Sequence, residues 1–165
     1  MRELLRNARE YCESNGRTLD EKALLGAGTD GSVWKTNEGT AVKALELLRN
    51  YANERDCYRR LSDAGIAEIK GFAVPELEGY SDDLWVIEMS IVQPPYLLDF
   101  GKAYLDSPAD YFDDEEREQT WRLRCMEDFG DDWPRVQSVI RILALKFGIY
   151  YYDVKPANIQ VSGLA

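Results

Sequence analysis

Gly26-Ala27-Gly28-Thr29-Asp30-Gly31-Ser32-Val33, with Ala41-Val42-Lys43 close behind it, is the stretch on which the fold turns. It satisfies G-x-G-x-x-G-x-V, a pattern in which glycines let the backbone approach phosphate oxygens and present N–H donors where a Cβ would clash. The residues that follow select among the folds that use such loops. A dinucleotide-binding fold needs a helix directly after the glycines, and a phosphate loop needs Gly-Lys-Ser/Thr. Ser32 to Thr36 is instead strand-like and leads into an Asn37-Glu38-Gly39 turn, so the glycines sit between antiparallel strands. The two-residue strand period puts Ala41 and Lys43 on one face, and the return through the turn brings Lys43 back beside the loop.

Outward from this hairpin, residues 2–13 place Leu4, Leu5, Ala8 and Tyr11 on one helical face that ends near Asn15-Gly16. Three antiparallel strands are expected between Lys22 and Leu45. Residues 46–61 return to helical spacing, with Leu47, Tyr51, Tyr58 and Leu61 forming a stripe whose missing member, at position 54, is a glutamate. A carboxylate in an apolar row is costly unless paired, and Lys43 is the expected partner. Residues 66–74 and 83–92 read as two further strands joined by a loop from Pro75 to Asp83, which gives an α+β unit with a helix beside a five-stranded antiparallel sheet. After Gln93-Pro94-Pro95 the pattern is helical around 114–127. It is helical again from Asp132-Trp133-Pro134, where Val136, Val139, Ile140, Leu143 and Phe147 form a stripe stopped by Gly148.

Composition narrows the chemistry. The chain has 165 residues with 20 Lys+Arg against 30 Asp+Glu, a net charge of −10, and no histidine. Ser-His-Asp and Cys-His catalysis and His-ligated metals are thereby excluded. The acidic balance opposes a nucleic-acid partner, and the acids between Asp106 and Glu118 read as a solvated face. Cys12, Cys57 and Cys125 suggest neither a disulfide framework nor a metal knuckle, which points to a reducing, cytoplasmic location. No apolar run approaches the ~18 residues of a membrane span, so no membrane association is expected.

Gly148-Ile149-Tyr150-Tyr151-Tyr152-Asp153-Val154-Lys155-Pro156-Ala157-Asn158-Ile159 supplies the remaining motif. The order of glycine loop, strand lysine, helix glutamate and D-x-K-P-x-N-I resembles the protein kinases, particularly the serine/threonine branch, over residues 22–161. The resemblance implies a kinase-like N-lobe (residues 1–92), with the five-stranded sheet and its helix, and a minimal helical C-lobe part (residues 93–165). It implies an ATP site formed by Gly26, Gly28, Gly31, Val33, Ala41, Lys43 and Glu54, with Ile87 as gatekeeper and backbone groups of Glu88 and Ser90 on adenine. It further implies Asp153 accepting the substrate hydroxyl proton, Lys155 steadying the transferring phosphate, and Asn158 holding Mg2+.

The chain departs from the family at two places. His-Arg-Asp is Tyr151-Tyr152-Asp153, which removes the usual arginine partner of a phosphorylated activation segment. The chain also ends at Ala165, before the hairpin strand, metal-binding Asp-Phe-Gly, activation segment and helical lobe that the family places after Asn158. Asp-Phe-Gly occurs at residues 99–101 and 128–130, but both precede the catalytic-loop motif, and both read as coincidental. The expectation is therefore a minimal ATP-binding protein with weak phosphotransferase activity toward a protein substrate. The alternative is an inactive pseudokinase or kinase fragment that engages a protein partner.

Overall fold

The computed structural model describes residues 2–162. The chain runs α1 (Arg2–Ser14), β1 (Leu19–Ala27), β2 (Gly31–Thr36), β3 (Thr40–Leu45), α2 (Leu48–Asp63), β4 (Glu68–Ile69), β5 (Phe72–Ala73), β6 (Leu77–Ser81) and β7 (Val86–Ser90). It continues through β8 (Tyr96–Leu97), β9 (Tyr104–Leu105), α3 (Glu115–Phe129), α4 (Trp133–Phe147), β10 (Ile149–Tyr150) and β11 (Ile159–Gln160). The fold is α+β, built on a five-stranded antiparallel sheet in the order β1-β2-β3-β7-β6.

Both faces of that sheet are covered, which is why β3 is apolar almost throughout. Val42 and Ala44 face outward with Trp34 and Val86 and meet Leu4, Ala8, Tyr11 and Cys12 of α1. Ala41 and Leu45 face inward with Ile87 and Met89, toward Tyr51, Tyr58 and Leu61 of α2 and the second half of the chain. The period-two alternation of β7 therefore sends Glu88 outward. There its buried carboxylate meets Arg17, Thr40 Oγ1 and the Tyr11 hydroxyl, the last at 3.0 Å.

One expected strand is differently placed, and one expected loop is a strand. The fifth sheet strand is β6, inside the stretch read as a loop. Residues 66–74 instead form the β4–β5 hairpin, which joins β8 and β11 in a separate four-stranded sheet. Leu77-Glu78-Gly79-Tyr80-Ser81 hides its strand character behind a glycine with no side chain to pack. The Tyr11 hydroxyl lies where a Gly79 Cβ would project.

Helix ends follow local chemistry. Asp114 accepts from the N–H groups of Glu116 and Arg117 to cap α3, while Gly148 ends α4 in the left-handed region at φ 63°. Asp128-Phe129-Gly130 is the last turn and C-cap of α3, which leaves that triplet with a structural role. Leu47 is exposed, so the buried stripe of α2 begins at Tyr51. Cys12, Cys57 and Cys125 are buried free thiols, and among the described residues no helix is long and apolar enough to cross a membrane.

Gly31 and Gly28 differ in what they leave room for. A Cβ on Gly31 would run into the Ala44 carbonyl oxygen of the neighbouring strand, whereas one on Gly28 meets nothing within 4 Å. Gly31→Ala should cost about 1–3 kcal/mol in denaturant unfolding, against little change for Gly28→Ala. Equal effects would contradict this packing.

Candidate functional site

β3 carries Lys43 to the inner face, and α2 carries Glu54 to meet it. The Lys43 ammonium donates to both Glu54 oxygens, at 2.9 and 2.7 Å, and both residues are buried. A third group completes the cluster, because Asp99 Oδ1 lies 3.3 Å from the same nitrogen. Burial works against the Lys43 charge, but Glu54 and then Asp99 outweigh it and hold the ammonium above its ordinary pKa. Burial raises the Glu54 carboxyl to about 7 against the opposing pull of Lys43. At Asp99 burial is outweighed by Lys43 and the Gly101 N–H, which keep its pKa below the usual carboxylate value.

Asp99 corrects the reading of its triplet as coincidental. β8, just before it, pairs antiparallel with β11, just after Asn158, and the Leu98 N–H donates to the Asn158 carbonyl at 2.8 Å. The strand that leads into Asp99 thus meets the strand that follows Asn158, although about sixty residues separate them in the chain. Asp99 adopts φ 62°, a left-handed conformation that aspartate tolerates better than most residues. Phe100 is fully buried between Tyr58 and Tyr151, with edge-on ring centroids at 5.1 and 5.5 Å. One aromatic stack thus links α2, the Asp99 turn and the loop before Asp153. The signal in the sequence was the triplet itself after a short Tyr96-Leu97-Leu98 run, and only its position argued against it.

On the other side of Asp99, Asp153 is fixed by its own loop. Its Oδ2 accepts from Lys155 Nζ at 3.0 Å and from Asn158 Nδ2 at 3.1 Å, and Asn158 Nδ2 also donates to the Asp153 carbonyl at 2.9 Å. With its nitrogen so engaged, Asn158 can meet a cation through its amide oxygen. Asp99 and Asn158 thus offer one ionised carboxylate and one amide oxygen. That donor set suits Mg2+ shared with phosphate oxygens and water better than an all-protein metal site. Among the described residues no cluster of three or more His, Cys, Asp or Glu could hold a metal unaided.

A cleft of about 430 Å3 opens beside this cluster. Gly26, Val33, Ala41, Lys43, Glu54, Ser90 and Asn158 line it, joined by Leu25, Met89, Ile91, Val92, Tyr96, Leu98 and Asp99. Its walls are apolar on the sheet side and charged at the inner end, a form suited to a flat ring system carrying a polyanion. Six expected residues do not line it. Asp153 and Lys155 lie behind Asn158, to which Asp153 is hydrogen-bonded. Gly28 and Gly31 form the turn above, closed by the Gly28 N–H on the Gly31 carbonyl at 3.0 Å. Ile87 faces inward but is fully buried in the core beneath the cleft. Glu88 lies within the ladder between β3 and β6 with its side chain facing α1, and Met89 takes the wall position expected of Ile87.

No protein-family model matches the chain, and no curated protein is similar to it. Among solved structures, the ternary complex of streptomycin, ATP and APH(2")-IIa is similar at 22% identity, covering 52% of this chain and 28% of that one, with a TM-score of 0.36. The functional reading rests on the cleft geometry.

Because its pKa in the fold lies above the unfolded value of 4.5, Glu54 holds a proton that the unfolded chain has already released. Its contribution to stability is complete below about pH 4.5 and is lost as pH rises through about 7. The melting temperature of the wild type minus that of Glu54→Gln should fall across this window and level off above it. The corresponding change in unfolding free energy should not exceed about 3–4 kcal/mol, at about 1.4 kcal/mol per pKa unit. A flat difference would mean that Glu54 is not a buried, raised carboxyl.

Proposed function

We propose that this protein is a kinase-like phosphotransferase that binds ATP in the cleft beneath residues 26–31 and passes its terminal phosphoryl group to a hydroxyl held near Asp153. The observation that carries this reading is the convergence of Lys43, Glu54, Asp99 and Asn158 on one cleft, with Asp153 hydrogen-bonded to Asn158 just behind its wall, although they come from four separate segments. Lys43, oriented by Glu54, binds phosphate oxygens. Met89, Val33 and Ala41 enclose the base, with main-chain groups of residues 90–92 at its edge in place of Glu88.

Asp99 and Asn158 would hold Mg2+, which neutralises charge on the phosphates when bound. Asp153 accepts the hydroxyl proton on the oxygen that Lys155 and Asn158 keep in position. Lys155, two residues after that carboxylate, favours a serine or threonine acceptor in a protein. Asp99, presented beside Lys43 by the turn after β8, supplies a carboxylate for the metal and favours an active enzyme over an inert binding module.

Titration calorimetry should show binding of ATP that strengthens with Mg2+. Lys43→Met should weaken binding, and Asp99→Asn should abolish the Mg2+ enhancement. Asp153→Asn should retain binding while phosphoryl transfer from labelled ATP drops by about 10²–10⁴-fold. No heat at millimolar nucleotide, or turnover that survives Asp153→Asn, would refute the site.

A further inference from the structure

Lys102 lies just beyond Gly101 and outside every motif so far described, yet beside the cleft it joins the glycine turn to the catalytic-loop segment. Its Nζ is 2.8 Å from Asp30 Oδ2 in the glycine turn and 3.9 Å from Asp153 Oδ2. Asp30 is otherwise well anchored. Its Oδ1 accepts from Asn50 Nδ2 of α2 at 3.0 Å, and its carbonyl accepts from the Glu46 N–H at 3.1 Å. Lys102 is therefore the movable member of the pair.

The three lysines of the site differ in burial and in partner. Lys43 is buried and committed to Glu54 and Asp99. Lys155 is exposed, but its partner is Asp153, the carboxylate assigned to the substrate hydroxyl. Lys102 stands on the line from the glycine turn to Asp153, which a transferring phosphoryl group must follow, and its side chain is 46% exposed. An exposed lysine–carboxylate pair contributes little net stability, and a phosphate oxygen bearing greater charge competes well for the same ammonium.

We propose that Lys102 is a ligand of the terminal phosphoryl group, with Asp30 acting as its stand-in anion in the nucleotide-free protein, so that this pair makes the cleft prefer nucleoside triphosphate over diphosphate. The proposal rests on the nucleotide reading above and adds a residue and a selectivity to it. A plain structural strut at Lys102 would affect both nucleotides alike, because it would act only through the shape of the loop. A phosphate ligand affects only the nucleotide that carries the third phosphate.

The test is calorimetric titration of Mg-ATP and Mg-ADP into the wild type, Lys102→Met, Lys102→Arg and Asp30→Asn, with thermal unfolding of each variant as the folding control. Lys102→Met should weaken ATP by about five-fold or more while leaving ADP unchanged. Lys102→Arg, which keeps the charge, should restore most of the ATP preference. Asp30→Asn, which frees the ammonium, should tighten ATP selectively. Equal changes for ATP and ADP, or none for either in Lys102→Met, overturn the role of Lys102 while leaving nucleotide binding intact. Failure of the wild type to bind either nucleotide overturns the nucleotide reading itself, and this inference with it.

Discussion

A buried ammonium held between two carboxylates is the constraint on which the rest of this structure depends. Lys43 comes from β3, Glu54 from α2 and Asp99 from the turn after β8, so the cluster forms only when three separate segments are correctly seated. Removing a charge from water costs several kcal/mol, recovered only with good geometry and full pairing. Any error in sheet register, helix docking or β8 pairing would leave one of these charges buried and unpaired, at about 3–5 kcal/mol. The cluster stabilises the fold less than it restricts the fold to one arrangement, and that arrangement is the one that shapes the cleft.

The second constraint is apolar and runs parallel to the first. Phe100, fixed between Tyr58 and Tyr151, ties α2 to the loop carrying Asp153 through contacts independent of charge. The Tyr151 hydroxyl donates to the Leu98 carbonyl at 2.6 Å, so Tyr151 also braces the turn that presents Asp99. Site chemistry depends on where groups lie, and chain order is only one way of bringing them there. Two-residue strands are enough, because β8 needs only β5 and β11 beside it to fix the direction of the next residues.

How much was legible in the sequence follows from which signals are local. The Lys43–Glu54 pair could be read because strand and helix periods fix which side chains share a face, and a carboxylate in an apolar stripe demands a cation. The ends of α1 and α4 could be read from Gly16 and Gly148. Asp99 could not, because Asp-Phe-Gly takes its meaning from tertiary position, and the family's chain order argued against it. The backbone role expected of Glu88 at adenine fails for a related reason. Its main chain lies in the ladder between β3 and β6, a pairing with β6 that no local signal announces. Its side chain is held on the opposite face by Arg17, Tyr11 and Thr40, all distant in sequence. Lys102 belongs to no motif and Asp30 fills only an unspecified position of the glycine loop, and only their distance reveals the pair.

An acidic protein is an awkward host for a polyanion, and the balance of charges in the cleft shows how the conflict is resolved. Asp30, Glu54, Asp99 and Asp153 face Lys43, Lys102 and Lys155, so the carboxylates slightly outnumber the cations. The net charge of −10 matters less than this local set, because charges separated by more than about 8–10 Å of electrolyte are largely screened at physiological salt. On the nucleotide reading, each lysine is preloaded with a carboxylate and cannot meet phosphate without leaving one behind. Asp99, once relieved of Lys43, is then free to take a divalent cation instead. Such a cleft gains most from a nucleotide that arrives with its metal, since the metal compensates the carboxylate that the lysine vacates. On that reading, the surplus of acid is what would couple nucleotide binding to magnesium.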